Sequence, residues 1–344
     1  MTTPRRRTAV ACLALASATA LLAPGTAHAA AGPSATVFSP NPVQSLGDET
    51  LTDDKDRDSA AFAAAYRTVA LTDLDGSGTL TGRYVRVKSE TGNAAKTVNG
   101  AFPAWHRDSD QFEQVMGYYW VTTAQRYIQS LGFGSTLRPV NQRQIELRIN
   151  QYGGDNSFFR DDKADITLGK GGVDDAEDAE DAEVIVHEYG HSVQDGQVTG
   201  FGTTLESGAI GEAFGDYLAV AVTSWKTGTP SKTPEACVAD WDSVSYTSAA
   251  PHCLRRLDGA KHYPQDMAGE VHADGEIWSS ALYAIRTALG DTLAGKVIID
   301  AQFDFTKDTT FRAAAEATVR SAQRHGGTAA ADATRAAFTG RGLL

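Results

Sequence analysis

The sequence predicts a two-lobed α+β fold, β-rich at first and mainly helical towards its end. Three patterns carry this. Ile145, Leu147 and Ile149 alternate with polar residues, the period of a half-buried strand. Phe112, Met116, Tyr119, Trp120, Ala124, Tyr127 and Leu131 recur at helical spacing across residues 109–131. Further helical patterns cover residues 184–195, 206–225 and 273–288, and alanine-rich ones cover 310–322 and 329–338. Strand patterns followed by runs of helices argue for segregated α and β regions around one junction.

Taken in order, Arg5, Arg6 and Arg7 precede an apolar stretch from Ala9 to Ala23, and Ala27-His28-Ala29 forms a small-residue cleavage pattern. Residues 1–29 therefore read as a secretory signal peptide, with a mature chain expected from Ala30. The apolar stretch is short for a membrane span and no second one follows, so no membrane association is expected after cleavage. Residues 30–58 are polar, with Pro40, Pro42 and the charged run Asp53 to Asp58, and are expected to be a flexible lead-in. Residues 59–200 form the expected β-rich N-terminal lobe, opening with a hairpin-like pair, Arg67 to Leu71 and Tyr84 to Val87. The joint Asp73-Leu74-Asp75-Gly76-Ser77-Gly78 is like the start of an EF-hand loop, but Tyr84 stands where the bidentate glutamate belongs, so a glycine-rich turn is expected. Residues 201–344 form the mainly helical C-terminal lobe.

The chain of 344 residues carries 43 acidic against 31 basic residues, a formal charge of −12. Loss of residues 1–29 removes three arginines and no acids, moving it to −15. Such a surface disfavours nucleic acid and anionic membranes and suits a soluble exported protein, expected as a monomer. Of three cysteines, Cys12 leaves with the signal peptide, so Cys237 and Cys253 are expected to pair in an oxidising compartment. A loop of that size contributes roughly 3 kcal/mol in the chain-entropy account.

His187-Glu188-Tyr189-Gly190-His191 places two imidazoles four residues apart with a carboxylate beside the first. On a helix, positions i and i+4 share a face, so both rings can bind one zinc ion while Glu188 reaches the water beside it. The preceding Ala182-Glu183-Val184-Ile185-Val186 suits a helix buried on one side. A catalytic zinc site takes a third protein ligand, and Glu212 is the candidate. Ile210, Ala213, Phe214, Tyr217 and Leu218 give its helix an apolar side, and Asp216 lies one turn on. Asp216 is then placed to accept from the second nitrogen of a ligating histidine and fix its tautomer.

The run Glu206 to Asp216 resembles the third-ligand helix of thermolysin-like zinc peptidases, and Gly269-Glu270-Val271-His272-Ala273-Asp274-Gly275-Glu276-Ile277-Trp278 resembles the matching segment of the fungalysin branch. The resemblance covers roughly residues 109–344. It implies a thermolysin-like zincin with the zinc site at the junction of the lobes, and gives His272 the role of binding the oxyanion of peptide hydrolysis. Asp155-Asn156-Ser157-Phe158-Phe159 with Ala164 to Leu168 is similar to the edge strand along which a peptide substrate adds, implying that Asn156 bonds the substrate backbone. Leu254-Arg255-Arg256-Leu257-Asp258 is similar to the segment whose arginine contacts the substrate carbonyl near the S1′ pocket, with Arg255 the match and Arg256 the fallback.

Two departures stand out. Thr203 and Thr204 occupy the stretch in which these families carry an oxyanion-binding tyrosine, so a second oxyanion donor is unassigned. From Tyr217 to Pro234 there is no acidic residue, so the usual double calcium site is not expected. The acidic run Asp174 to Glu183 could bind calcium, but is expected to be a solvated, negatively charged approach to the zinc helix.

The expected function is that of a secreted, extracellular zinc-dependent metalloendopeptidase acting on peptide or protein substrates, with one catalytic zinc ion and Glu188 as general base. The alternatives are another secreted zinc hydrolase, such as an aminopeptidase carrying an acidic anchor for a free amine, or a catalytically silent zinc-binding protein.

Overall fold

The computed structural model describes residues 32–89, 93–150, 154–172, 175–228 and 231–344. The signal-peptide reading of residues 1–29 lies outside them.

A four-stranded sheet supports the first half. Its strands are β3 (Val85–Ser89), β4 (Ile145–Ile149), β5 (Phe158–Arg160) and β6 (Asp165–Leu168), in the order β3-β4-β6-β5. β3, β4 and β6 run parallel, with Val85 opposite Ile145 and Leu147 opposite Ile166, whereas β5 is antiparallel to β6 and forms an edge. β4 buries Ile145, Leu147 and Ile149, as its alternation requires. Helix α2 (Asp110–Ser130) lies on the sheet, and a Cβ at Gly117 would come within 2.5 Å of Leu147 Cδ2, so only glycine permits this approach.

The N-terminal segment departs from expectation. The composition of residues 30–58 predicts a flexible lead-in, yet β1 (Ser34–Phe38) pairs antiparallel with β2 (Tyr66–Ala70), and Val37 and Phe38 are fully buried. The Phe38 amide donates to Met116 Sδ at 3.1 Å, and Trp120 Nε1 donates to the Phe38 carbonyl at 3.2 Å, tying β1 to α2. The short helix α1 (Pro42–Leu46) follows, with Asn41 as N-cap accepting from the Gln44 amide and Pro42 in the first turn. The apolar residues 35–38 are diluted by polar neighbours in sequence, which hides their burial. The expected hairpin is also absent: β2 pairs with β1 and β3 with β4, and the turn between them is closed by the isolated bridge Leu74–Gly82. Asp73 there is paired with Arg126, and Asp75 accepts from the Ser77 amide, so the EF-hand-like stretch is a turn.

The second half is helical: α3 (Ala182–Gln197), α4 (Leu205–Thr227), α5 (Val271–Leu289), α6 (Asp291–Ala301) and α7 (Phe311–Thr339). α3 packs on α4 and α4 on α5. The α3–α4 crossing is close because a Cβ at Gly190 would lie 2.9 Å from Gly215 Cα. α6 was not anticipated; it starts immediately after Gly290, whose φ of 76° ends α5. Gly327, at φ 70°, kinks α7 between the two alanine-rich patterns. Residues 31–344 form one compact unit, and the division placed at 200/201 falls in the short connection between the packed helices α3 and α4. Among the described residues no helix is long and apolar enough to cross a membrane.

The acidic run before α3 is not a solvated approach. Asp174 lies outside the described residues, but Glu177, Asp178, Glu180, Asp181 and Glu183 are buried. Each finds a counter-group: Glu177 pairs with Lys170 at 2.7 Å, Glu180 with the buried Arg107 at 2.9 Å, and Asp178 with the Ser157 hydroxyl. Asp181 caps α3 by accepting from the Glu183 amide, and Glu183 accepts from Gln44, Thr223 and the Ala239 amide. The run buttresses the positive end of the helix that carries the histidines.

Candidate active site

Helix α3 carries His187 and His191 on one face, their Nε2 atoms 3.2 Å apart. Helix α4 is started by a capping box between Thr204 and Ser207, and brings Glu212 and Asp216 over that face one turn apart. Glu212 oxygens lie 3.2 Å from His187 Nε2 and 3.7 Å from His191 Nε2. Asp216 Oδ1 lies 2.9 Å from His187 Nδ1, which turns Nε2 towards Glu212. Room for the His187 ring comes from Gly215, where a Cβ would sit 2.6 Å from Nδ1.

These separations fit a metal ion. Zinc ligands at about 2.0–2.2 Å in a tetrahedral arrangement lie roughly 3.3–3.6 Å from one another, and two imidazoles with one carboxylate are a donor set zinc takes. Glu188 is a second carboxylate close by, its ligand atom within 4.8 Å of those of both histidines. It is buried, and its Oε2 has no hydrogen-bond partner among the described residues. Burial pushes its carboxyl up to about 7, against the pull of His187.

The charges around the histidines are opposed. Burial would lower His187, but Asp216 and Glu212 outweigh it and hold the ring at about 10, whereas burial drives His191 down to about 4. Burial would raise Glu212, yet the surrounding histidines, His191 first, hold it at about 2.

His272 stands in the first turn of α5. Glu270, the N-cap, accepts from the His272 and Ala273 amides and from His272 Nδ1 at 2.6 Å, leaving Nε2 3.2 Å from Glu212 Oε2. Half of its side chain is exposed, so it is accessible at the rim. Arg255 lies on β8 (Arg255–Arg256), paired with β7 (Cys237–Val238) and braced by the Cys237–Cys253 disulfide. Its Nε and Nη2 bond both oxygens of Asp216, at 2.7 and 2.6 Å. Arg256 instead pairs with Asp258 at the surface. Asn156 is exposed just before the edge strand β5.

All of these except Asp216 and Arg256 line one cleft of about 700 Å³. Its walls also include Asp155, Asp178 and Asp242, which sequence reading did not bring together, since they come from three separate segments with no spacing signal. Thr203 donates to the Lys307 carbonyl and Thr204 caps α4, so both hydroxyls are committed to structure.

The model of the fungalysin metallopeptidase family, M36, matches residues 172–343, half of the chain, including the helices α3, α4 and α5 that carry the histidines and Glu212. The chain belongs to the fungalysin metallopeptidase family. Extracellular metalloproteinase 4 of Trichophyton rubrum is 30% identical over 125 residues, covering 32% of this chain and 18% of that protein. Extracellular metalloproteinase mep of Aspergillus niger is 28% identical over 127 residues, with the same coverage of 32% and 18%. The match thus spans under a fifth of the length of either curated relative. Among solved structures, the precursor of protealysin, a metalloproteinase from Serratia proteamaculans, aligns with a TM-score of 0.58 at 16% identity, covering 80% of this chain and 92% of that one. This fungalysin-family chain therefore has the mixed α/β, thermolysin-like fold with a helical C-terminal region.

Proposed function

We propose that the chain is an exported zinc-dependent metalloendopeptidase that hydrolyses peptide bonds in protein substrates. The observation that carries the reading is the convergence of His187, His191 and Glu212 on one point of an open cleft, with the buried Glu188 carboxylate beside it. His187, His191 and Glu212 would hold the zinc. The chemistry a zinc ion supplies in such a site is polarisation of the scissile carbonyl and of the attacking water.

The chain's own residues do the rest. Glu188 Oε2, free of hydrogen bonds among the described residues, takes the proton from the water and hands it to the leaving amine; a carboxyl near 7 suits both directions of transfer. With both ring nitrogens carrying a proton, His272 donates from Nδ1 to Glu270 and from Nε2 to the developing oxyanion. Asp216 accepts from His187 Nδ1 and so presents Nε2 to the site. Arg255 holds Asp216 through Nε and Nη2, which leaves Nη1 for the substrate carbonyl. The exposed Asn156 and the edge strand β5 take the substrate backbone as an added strand. The signal-like N-terminus and the word extracellular in both relatives' names support export.

The test is cleavage of an unfolded protein by the zinc-loaded chain, by chelator-treated chain and by Glu188→Gln. Cutting that needs both metal and Glu188, with the variant slower by about 10²–10⁴-fold while still binding zinc, supports the reading. Stoichiometric zinc without cutting by any preparation would overturn it.

A further inference from the structure

The cleft has a second chemical feature, away from the histidines. Asp155, Asp178 and Asp242 bring carboxylate oxygens within 4.8 Å of one another on its wall. Three carboxylates at that separation repel strongly, and the wall offers them little relief. Ser157 donates to Asp178. Asp242 has no such partner: it is 6% exposed, faces the cleft, and among the described residues its carboxylate takes part in no hydrogen bond or ion pair. Arg255, whose charge Asp242 feels, is held bidentately by Asp216 and is not free to neutralise the group.

The cleft that holds this triad also presents apolar side chains. Val184, Val238 and Leu254 line the same cleft, with the Leu254 amide donating to the Val238 carbonyl so that their walls are fixed to each other. A cleft that offers both carboxylates and apolar side chains matches a long cationic side chain, whose methylenes can cover apolar surface while its charged head meets the carboxylates.

We propose that Asp155, Asp178 and Asp242 form a subsite for a cationic group of the peptide substrate, a lysine or arginine side chain. This rests on the peptidase reading for its substrate, but not for its test. Burial pushes Asp178 up to about 7 and raises Asp242 as well, so a bound cation would take the place of protons these acids otherwise hold.

The experiment measures equilibrium binding of fluorescent peptides to the zinc-loaded Glu188→Gln chain by anisotropy, alongside their cleavage by the wild-type chain. The peptides are N-acetylated and differ only in carrying Lys, Arg, Leu or Glu at either position flanking one scissile bond; an unacetylated Leu peptide reports on a free amine as the source of the charge. Lys and Arg peptides should bind on the order of tenfold or more tighter than Leu and Glu peptides at one of the two positions. Adding Asp242→Asn should collapse that ratio, and Asp242→Glu should restore it. Preference for the unacetylated peptide, equally dependent on Asp242, would support the cation subsite with the terminal amine as its occupant.

The proposal is overturned if binding does not depend on peptide charge, or if the dependence survives Asp242→Asn. It is also overturned if the chain binds calcium stoichiometrically through Asp242 with no change in peptide preference, which would make the occupant a metal ion. Should Asp242→Asn not fold, the wild-type comparison of Lys with Leu and Glu peptides decides alone. Charge-dependent binding without cleavage by the wild-type chain would defeat the peptidase reading and leave the subsite standing.

Discussion

Arg255 grips Asp216 with two parallel bonds of 2.6 and 2.7 Å, and the oxygen nearer His187 lies 2.9 Å from its Nδ1. The sequence offered these two residues for different tasks, one for substrate and one for a histidine. The structure links them in a chain from Arg255 through Asp216 to His187.

If that chain orients His187, then Asp216→Asn should weaken zinc binding by about 10–100-fold, the range found when a partner behind a ligating histidine is lost. Arg255→Lys should shift affinity in the same direction by less, because an ammonium cannot reproduce the two-pronged bond. Competition against a chromophoric chelator measures both. Unchanged affinity in Asp216→Asn would remove the orienting role.

Gly215 and Gly211 make a paired comparison on α4. A methyl at Gly215 would meet the His187 ring at 2.6–2.9 Å, while at Gly211 the nearest atoms are 3.5–3.9 Å away. Gly215→Ala is expected to cost about 1–3 kcal/mol and to lower zinc affinity, since neither the ring nor the helix can move freely. Gly211→Ala should be neutral or stabilising by up to about 1 kcal/mol, as for glycine replaced in a helix interior. Thermal melts with and without zinc check both, and equal behaviour of the two variants would contradict the packing argument.

Arg107 is fully buried between Asp53 and Glu180 and also donates to the carbonyls of Asp53 and Arg57. Removing it strands two buried carboxylates. Arg107→Ala should therefore destabilise the fold by about 3–5 kcal/mol, read from denaturant unfolding. A loss below about 1 kcal/mol would show that water reaches the pair.

The buried acids also predict a pH dependence. Burial pushes Asp56 and Asp178 up to about 7 and Asp240 up to about 8. Their unfolded values are near 4, so between these limits the folded chain binds more protons than the unfolded one, and stability falls as pH rises. His191, lowered by burial to about 4, works the other way, but its contribution is complete by about 6.5. The melting temperature of the metal-free chain should therefore drop steadily from pH 6.5 to 8, and a flat or rising profile would refute the burial of these groups.

Much of the site was legible because its key spacings are local. The four-residue step from His187 to His191 and from Glu212 to Asp216 sets which side chains share a helix face, whatever surrounds the helix. The same holds for strand β4 and for helix α2, whose patterns are continuous. Local pattern failed where burial depends on distant partners. The run from Glu177 to Glu183 has the composition of a solvated surface, and only Arg107, Lys170, Gln44 and Ala239, brought in from far along the chain, make it interior. The strand Ser34–Phe38 is too short to announce itself without Tyr66–Ala70 beside it.

The sequence by itself thus determined the helix faces, the candidate metal-binding residues and the paired cysteines, because each follows from periodicity or count. Tertiary structure alone decided that Arg255 is tied to Asp216, that Glu188 is buried beside the histidines, and that Asp155, Asp178 and Asp242 meet in one cleft. These depend on long-range packing, and no spacing along the chain encodes which distant charges a fold will press together.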